Sequence, residues 1–133
     1  MTPSNAWARY ANATYGFELY LDNGWKGYTT TIQPLSGVPG AIAIDFNRPD
    51  TDRANPQSED YRVAFILLIV PTSKVGWNYM LPTGDPTQHG PLPTYLGRSV
   101  QYFFSYESSD DPPHIPNYDC EIRRVMGTFR LTN

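Results

Sequence analysis

Cys120 is the single cysteine of the chain, and its neighbours give it the most specific chemistry the residues offer. Arg123 and Arg124 follow at i+3 and i+4, the helical spacings that bring side chains together. A helix beginning at Tyr118 adds the positive end of its dipole nearby. Cations and a helix N-terminus both favour the thiolate, so the pattern predicts an accessible, reactive thiol at Cys120. On a helical wheel Cys120 lies about 180° from the Tyr118, Ile122, Val125 stripe, toward the polar side. A lone cysteine also excludes an intrachain disulfide framework and a cysteine-based zinc site.

The remaining chemical residues form looser sets. His89 and His114 are the two imidazoles, both in proline-rich stretches. No Gly-x-Ser-x-Gly elbow, His-Glu-x-x-His helix or glycine-rich phosphate loop accompanies them. Without a nucleophile and base to pair, the expectation is a non-catalytic protein that needs no cofactor. Asp45, Asn47, Asp50 and Asp52, and Glu107 with Asp110 and Asp111, offer oxygens to a cation. The calcium-loop spacing with its central glycine is absent, so both groups read as polar loops and no metal is expected. Trp77, Tyr79 and Tyr95 form the candidate ligand-binding set, because exposed rings stack on sugars or clamp peptides. Asn12-Ala13-Thr14 matches the glycosylation acceptor pattern, which acts only in a eukaryotic secretory pathway.

Composition bounds what can position these residues. The chain has 133 residues, 13 acids and 10 bases for a net charge near −3, which argues against an electrostatic grip on nucleic acid. Its length suits one domain over 1–133, with residues 1–9 expected as a flexible lead-in. The longest apolar run, Val63 to Val70, is too short for a transmembrane helix, which needs about 20 residues. Met1-Thr2-Pro3-Ser4 has neither the basic nor the apolar region of a signal peptide. The protein is then either cytoplasmic or carries a leader absent from this sequence.

The periodicity is mostly that of strands. Tyr15, Phe17, Leu19 and Leu21 alternate with Gly16, Glu18, Tyr20 and Asp22, the period-two mark of a half-buried strand. Asp22-Asn23-Gly24 suits a tight turn, and Trp25 to Ile32 reads as the return strand of an antiparallel hairpin. Tyr20 and Tyr28 would face away from the core in that hairpin. Ile42, Ile44 and Phe46 mark a second strand face, and Asn47 to Asp60 reads as a long polar loop. Tyr61 to Val70 is apolar on both faces after Arg62, as a central covered strand should be. Thr72 to Leu96 is mainly loop, and Arg98 to Tyr106 reads as one strand with Val100, Tyr102, Phe104 and Tyr106 on a common face.

One helix is predicted, with Tyr118, Ile122, Val125 and Met126 as its apolar stripe. Asn117 suits its N-cap and Gly127 its C-terminal stop. Thr128 to Thr132 reads as a short final strand. The order gives an α+β domain, an antiparallel β-sheet with helix packed on it.

Several segments resemble a known family. Tyr15-Gly16-Phe17 followed by Gly24-Trp25-Lys26-Gly27-Tyr28 looks like the opening of PsbP-like domains. Leu96-Gly97-Arg98 before Tyr102-Phe103-Phe104 resembles a signature of uncharacterised secreted bacterial members. Glu121-Ile122 and Gly127-Thr128-Phe129-Arg130-Leu131 resemble the family's helix-then-strand ending. The resemblance spans roughly residues 10–132 and implies an α/β/α sandwich, an antiparallel sheet flanked by helices. It implies an extracytoplasmic protein, secreted or membrane-anchored through a leader, and no transferable active site. The expected function is thus a non-catalytic binding or assembly module with a protein partner, its working surface on the loops Asn47 to Asp60 and Thr72 to Leu96. The alternative is a small-ligand or carbohydrate binder using Trp77, Tyr79 and Tyr95. Neither reading names the partner or fixes the oligomeric state.

Overall fold

A computed structural model describes residues 7–49, 61–73, 94–109 and 112–132. Along the chain run β1 (Ala8–Asn12), β2 (Phe17–Leu21), a 3-10 turn (Asn23–Trp25), β3 (Thr29–Pro34), β4 (Ile42–Pro49) and β5 (Tyr61–Pro71). Then follow β6 (Thr94–Arg98), β7 (Tyr102–Ser108), α1 (Tyr118–Met126) and β8 (Arg130–Leu131). They form two antiparallel sheets, a small one ordered β1-β2-β8 and a large one ordered β3-β4-β5-β7-β6.

Aromatic alternation explains why the sheets face each other. Phe17, Leu19 and Leu21 on β2 are fully buried, as are Ile44 and Phe46 on β4 and Phe65, Leu67 and Ile69 on β5. Rings from the small sheet meet rings from the large one: Tyr10 on Phe46 at 5.0 Å and Phe17 on Phe104 at 5.6 Å between centroids. Phe46 and Phe65 stack across β4 and β5 at 4.5 Å. Helix α1 adds Ile122, Val125 and Met126 to the same core, as its stripe predicts. The central strand β5 is buried on its other face too, where Val70 joins Val38, Ala41 and Phe103.

A bulge links helix to sheet. Phe46 pairs with Phe65 but Asn47 pairs with Val63, so Ala64 has no ladder partner. An unpaired bulge residue leaves its backbone groups for other donors. The Tyr118 hydroxyl donates to the Ala64 carbonyl and itself accepts the Ser109 N–H at 3.2 Å.

The described residues are mostly β, in two antiparallel sheets, so neither the expected α+β class nor the helix-flanked α/β/α sandwich is what they build. Among the described residues α1, nine residues long, is the only α-helix, and the layer opposite the large sheet is mainly a second sheet. Its strand β1 escapes the sequence pattern because ARYAN is short and largely exposed. It also incorporates Ala8 and Arg9, which the sequence assigns to a flexible lead-in. The expected hairpin fails as well, since β2 and β3 lie in different sheets. Asp22-Asn23-Gly24 leads into a 3-10 turn that sets Trp25 in the core, its ring 5.5 Å from Phe65. Gly27 at φ +84° then redirects the chain toward β4. Tyr28 accordingly packs on Phe46 at 6.4 Å instead of facing away from the core.

Two further expectations change. Arg98 to Tyr106 is not one strand: β6 ends at Arg98, and Val100 stands 91% exposed at the turn into β7. Asn117 makes no side-chain cap but adopts φ +54°, a conformation asparagine tolerates better than most residues. Gly127 ends the helix in right-handed geometry, at φ −64°.

These conformations give a paired test. Gly27→Ala forces a Cβ into left-handed backbone and should lose roughly 1–2 kcal/mol of stability in urea denaturation. Gly97→Ala, where an added Cβ meets nothing within 4 Å and φ is not left-handed, should show no comparable loss.

Candidate functional site

The sequence-selected residues do not converge. Trp77, Tyr79 and His89 lie outside the described residues, as do Asp50, Asp52, Asp110 and Asp111. Most of the loops taken as the working surface lies there as well, within 50–60 and 74–93. Tyr95 sits on β6, 55% exposed. Cys120 is exposed on α1, with the Arg123 Nη2 at 3.5 Å from its Sγ, while Arg124, also expected beside it, pairs with Asp22 and Glu121. His114 is exposed and makes contacts of its own. No group of three or more metal-ligating side chains occurs among the described residues.

Asp45 and Asn47 turn out to be strand residues of β4. Asn47 Nδ2 donates to Thr31 Oγ1 at 3.0 Å and approaches Thr29 Oγ1 at 3.4 Å. Gln33 Nε2 donates to Asp45 Oδ2 at 3.3 Å, while Asp45 Oδ1 is buried without a partner. Burial pushes the Asp45 carboxyl above its ordinary value. The polar row thus pins β3 to β4.

β3 is an edge strand, and its sequence Thr29-Thr30-Thr31-Ile32-Gln33-Pro34 carries no charge. Five of its six residues are exposed, including Ile32 at 54%. The Leu35 N–H donates to the Ala41 carbonyl at 3.0 Å, which sets the phase of the β3–β4 ladder. Residues 33, 31 and 29 turn their backbone groups toward β4, because hydrogen-bonded pairs alternate in an antiparallel ladder. Thr30 and Ile32 therefore direct N–H and C=O groups away from the sheet.

Two charged constellations accompany this edge. On the outer face of the small sheet Glu18 is bracketed by Arg9 and by Arg130, whose Nε donates to Glu18 Oε1 at 2.8 Å. Hydrogen bonding from Arg9 holds the Glu18 carboxyl below its ordinary value, opposed by burial and aided by Arg130. Where α1 meets the end of β2, Arg124 pairs with Asp22 and with Glu121 at 2.9 Å. Glu121 Oε1 accepts the Trp25 indole N–H at 3.2 Å, and Arg48 lies over that indole at 5.1 Å. Burial lowers the Arg48 pKa, partly offset by Glu121. This second group locks the helix onto the sheet.

The surface of the described residues also carries clefts. One, of about 620 Å³, lies between the β6–β7 turn and β8, lined by Arg98, Ser99, Val100, Gln101 and Leu131. A smaller one of about 320 Å³ separates β7 from α1, beside Tyr106, Asp119 and Arg123. Ser108 and Ile122 complete the lining of the smaller cleft. Sequence reasoning missed β3 because it read Trp25 to Ile32 as paired to β2. It missed the Glu18 group because nine and 112 positions separate Glu18 from its two arginines.

The two perturbed carboxyls give opposite pH signatures. The folded-state pKa of Glu18 lies below its ordinary 4.5, so its stabilisation is present above that value and disappears as pH falls through the folded-state pKa. Thermal melts should show Glu18→Gln less stable than the native protein at neutral pH, with the gap closing in that acid window. For Asp45 the folded-state pKa is raised, so its charge destabilises the fold at neutral pH. Asp45→Asn should raise Tm there, with the gain fading as pH falls through the folded-state pKa and then the unfolded one.

No protein-family model, no curated protein and no solved structure matches the chain, and none identifies the PsbP-like family.

Proposed function

We propose that this domain is a binding module that captures an extended segment of a partner protein along β3. The observation that carries the reading is the edge itself, unpaired on its outer side among the described residues and uncharged over six residues, with outward backbone groups at Thr30 and Ile32. Natural edge strands are usually blunted by lysine, by inward charges or by a covering element. Here Pro34 closes one end, and Thr30 and Ile32 remain open to strand addition. The row of Asn47, Asp45 and Gln33 contacts holds the edge in place before a partner arrives, which lowers the entropy lost on binding. Backbone hydrogen bonds would supply affinity, and Ile32 an apolar contact beside them.

The alternative reading is a small-ligand or carbohydrate binder. Of its three rings only Tyr95 falls among the described residues, on the opposite edge of the same sheet.

Selection of extended peptides from a display library should yield binders that protect the Thr30 and Ile32 amides from hydrogen exchange. Ile32→Lys should abolish that binding with little effect on Tm, because Ile32 is exposed. Binders that protect other amides, or that hold the Ile32→Lys protein equally well, would overturn the reading.

A further inference from the structure

We infer that the outer face of the small sheet is an oxyanion site, built to take a phosphate group between Arg9 and Arg130. It lies on the other sheet from β3 and stands independently of the strand-docking reading. Strand β2 is central in this sheet, so β1 and β8 bring their side chains to either side of it. The register places Glu18 beside Ala11 and opposite Arg130, and Tyr20 opposite Arg9. Neighbouring strands are about 4.8 Å apart, so the strands bearing the two arginines are about 10 Å apart. Two long arginine arms easily close that gap over a single tetrahedral anion.

Glu18 orients both guanidinium groups. Its side chain is only 8% exposed and gives one carboxylate oxygen to the Nε of each arginine. Arg130 is held further, over the Tyr20 ring at 5.9 Å and with Nη2 at 3.4 Å from the Tyr20 hydroxyl. Yet the arginine side chains are 56% and 63% exposed. Among the described residues the terminal nitrogens of Arg9 have no acceptor, and those of Arg130 have only the Tyr20 oxygen. The triad carries a formal charge of two cations and one anion, leaving +1.

A carboxylate that satisfied both arginines completely would make this a closed structural clasp. Glu18 instead uses one N–H of each and, among the described residues, leaves the terminal nitrogens without a carboxylate. Those nitrogens belong to planar forks suited to phosphate oxygens. The Tyr20 hydroxyl, accepting from Arg130, keeps its proton to donate. An added phosphate would continue an alternating row of charge on a surface whose one buried acid is already paired.

The test is a titration of the intact chain with inorganic phosphate, followed by NMR at the Arg9 and Arg130 Nε–H and the Tyr20 ring. A second arm uses an otherwise uncharged phosphoserine peptide, and a third uses sodium chloride at matched ionic strength. Saturable shifts at these three residues are expected with phosphate and absent with chloride. Arg9→Gln and Arg130→Gln should each weaken binding by about tenfold or more, as loss of a charge-assisted hydrogen bond implies. Should either fail to fold, Tyr20→Phe removes only a hydroxyl and should also weaken binding. Tighter binding of the peptide would assign the group to a modified partner, and tighter binding of inorganic phosphate to a free anion; both support the site. Equal shifts with chloride, or unchanged phosphate affinity in the variants, would overturn it.

Discussion

Aromatic contact between the two sheets is the constraint on which the rest depends. Tyr10 and Phe17 from the small sheet reach Phe46 and Phe104 of the large one, and Phe129 closes on Phe17 and Phe104 at 5.6 and 5.5 Å. Burying a side chain of this size contributes roughly 1.5–3 kcal/mol each, more than any exposed ion pair on the molecule supplies. Because the rings come from both sheets, the second sheet cannot be replaced by a helix without emptying the interface. Helix α1 instead fills the end of the interface where Trp25 stands, beside Phe65.

That arrangement divides polar work between two surfaces. The inner faces are taken by rings, so charge is left to the outer face of the small sheet and to the helix–sheet junction. β3 lies at the margin of the large sheet and carries no charge of its own. Its order comes from hydroxyl and amide contacts with β4. A neutral edge and a cationic face on separate sheets can therefore operate without disturbing one another.

What the sequence made legible follows from range. β5 and α1 declare themselves locally, one by unbroken apolar residues and the other by a 3.6-residue stripe. β4 shows through Ile42, Ile44 and Phe46. The pairing of β2 was not legible, because Asp22-Asn23-Gly24 has the composition of a hairpin turn and equally of the 3-10 turn it enters. Only the demand for Trp25 in the core decides between them, and that demand is tertiary. The turn at Ser99 to Gln101 was hidden for a similar reason. Val100 keeps the strand alternation while standing outside the protein, and the Ser99 Oγ, accepting the Tyr102 N–H at 3.1 Å, marks the turn. Of the sites, Cys120 and Arg123 were visible at helical spacing, whereas the Glu18 group exists only once β1 and β8 flank β2.

The geometry of that group traces to one buried residue that no motif marks. Thr128 is 6% exposed, and its hydroxyl donates to the Val125 carbonyl at 2.6 Å while accepting the Tyr20 N–H at 2.8 Å. It therefore fastens the last turn of α1 to β2 beside Tyr20. Arg130 follows two residues later, with Phe129 between them held in the core by two rings. The chain has too few residues between helix and β8 to absorb a shift, so displacement of α1 would move Arg130 relative to Glu18. The ion pair of Arg124 with Asp22 holds the same helix just past this end of β2, two residues beyond Tyr20. Helix packing and the outer-face arginine pair are thus mechanically one unit, even though the helix contributes no side chain to that face.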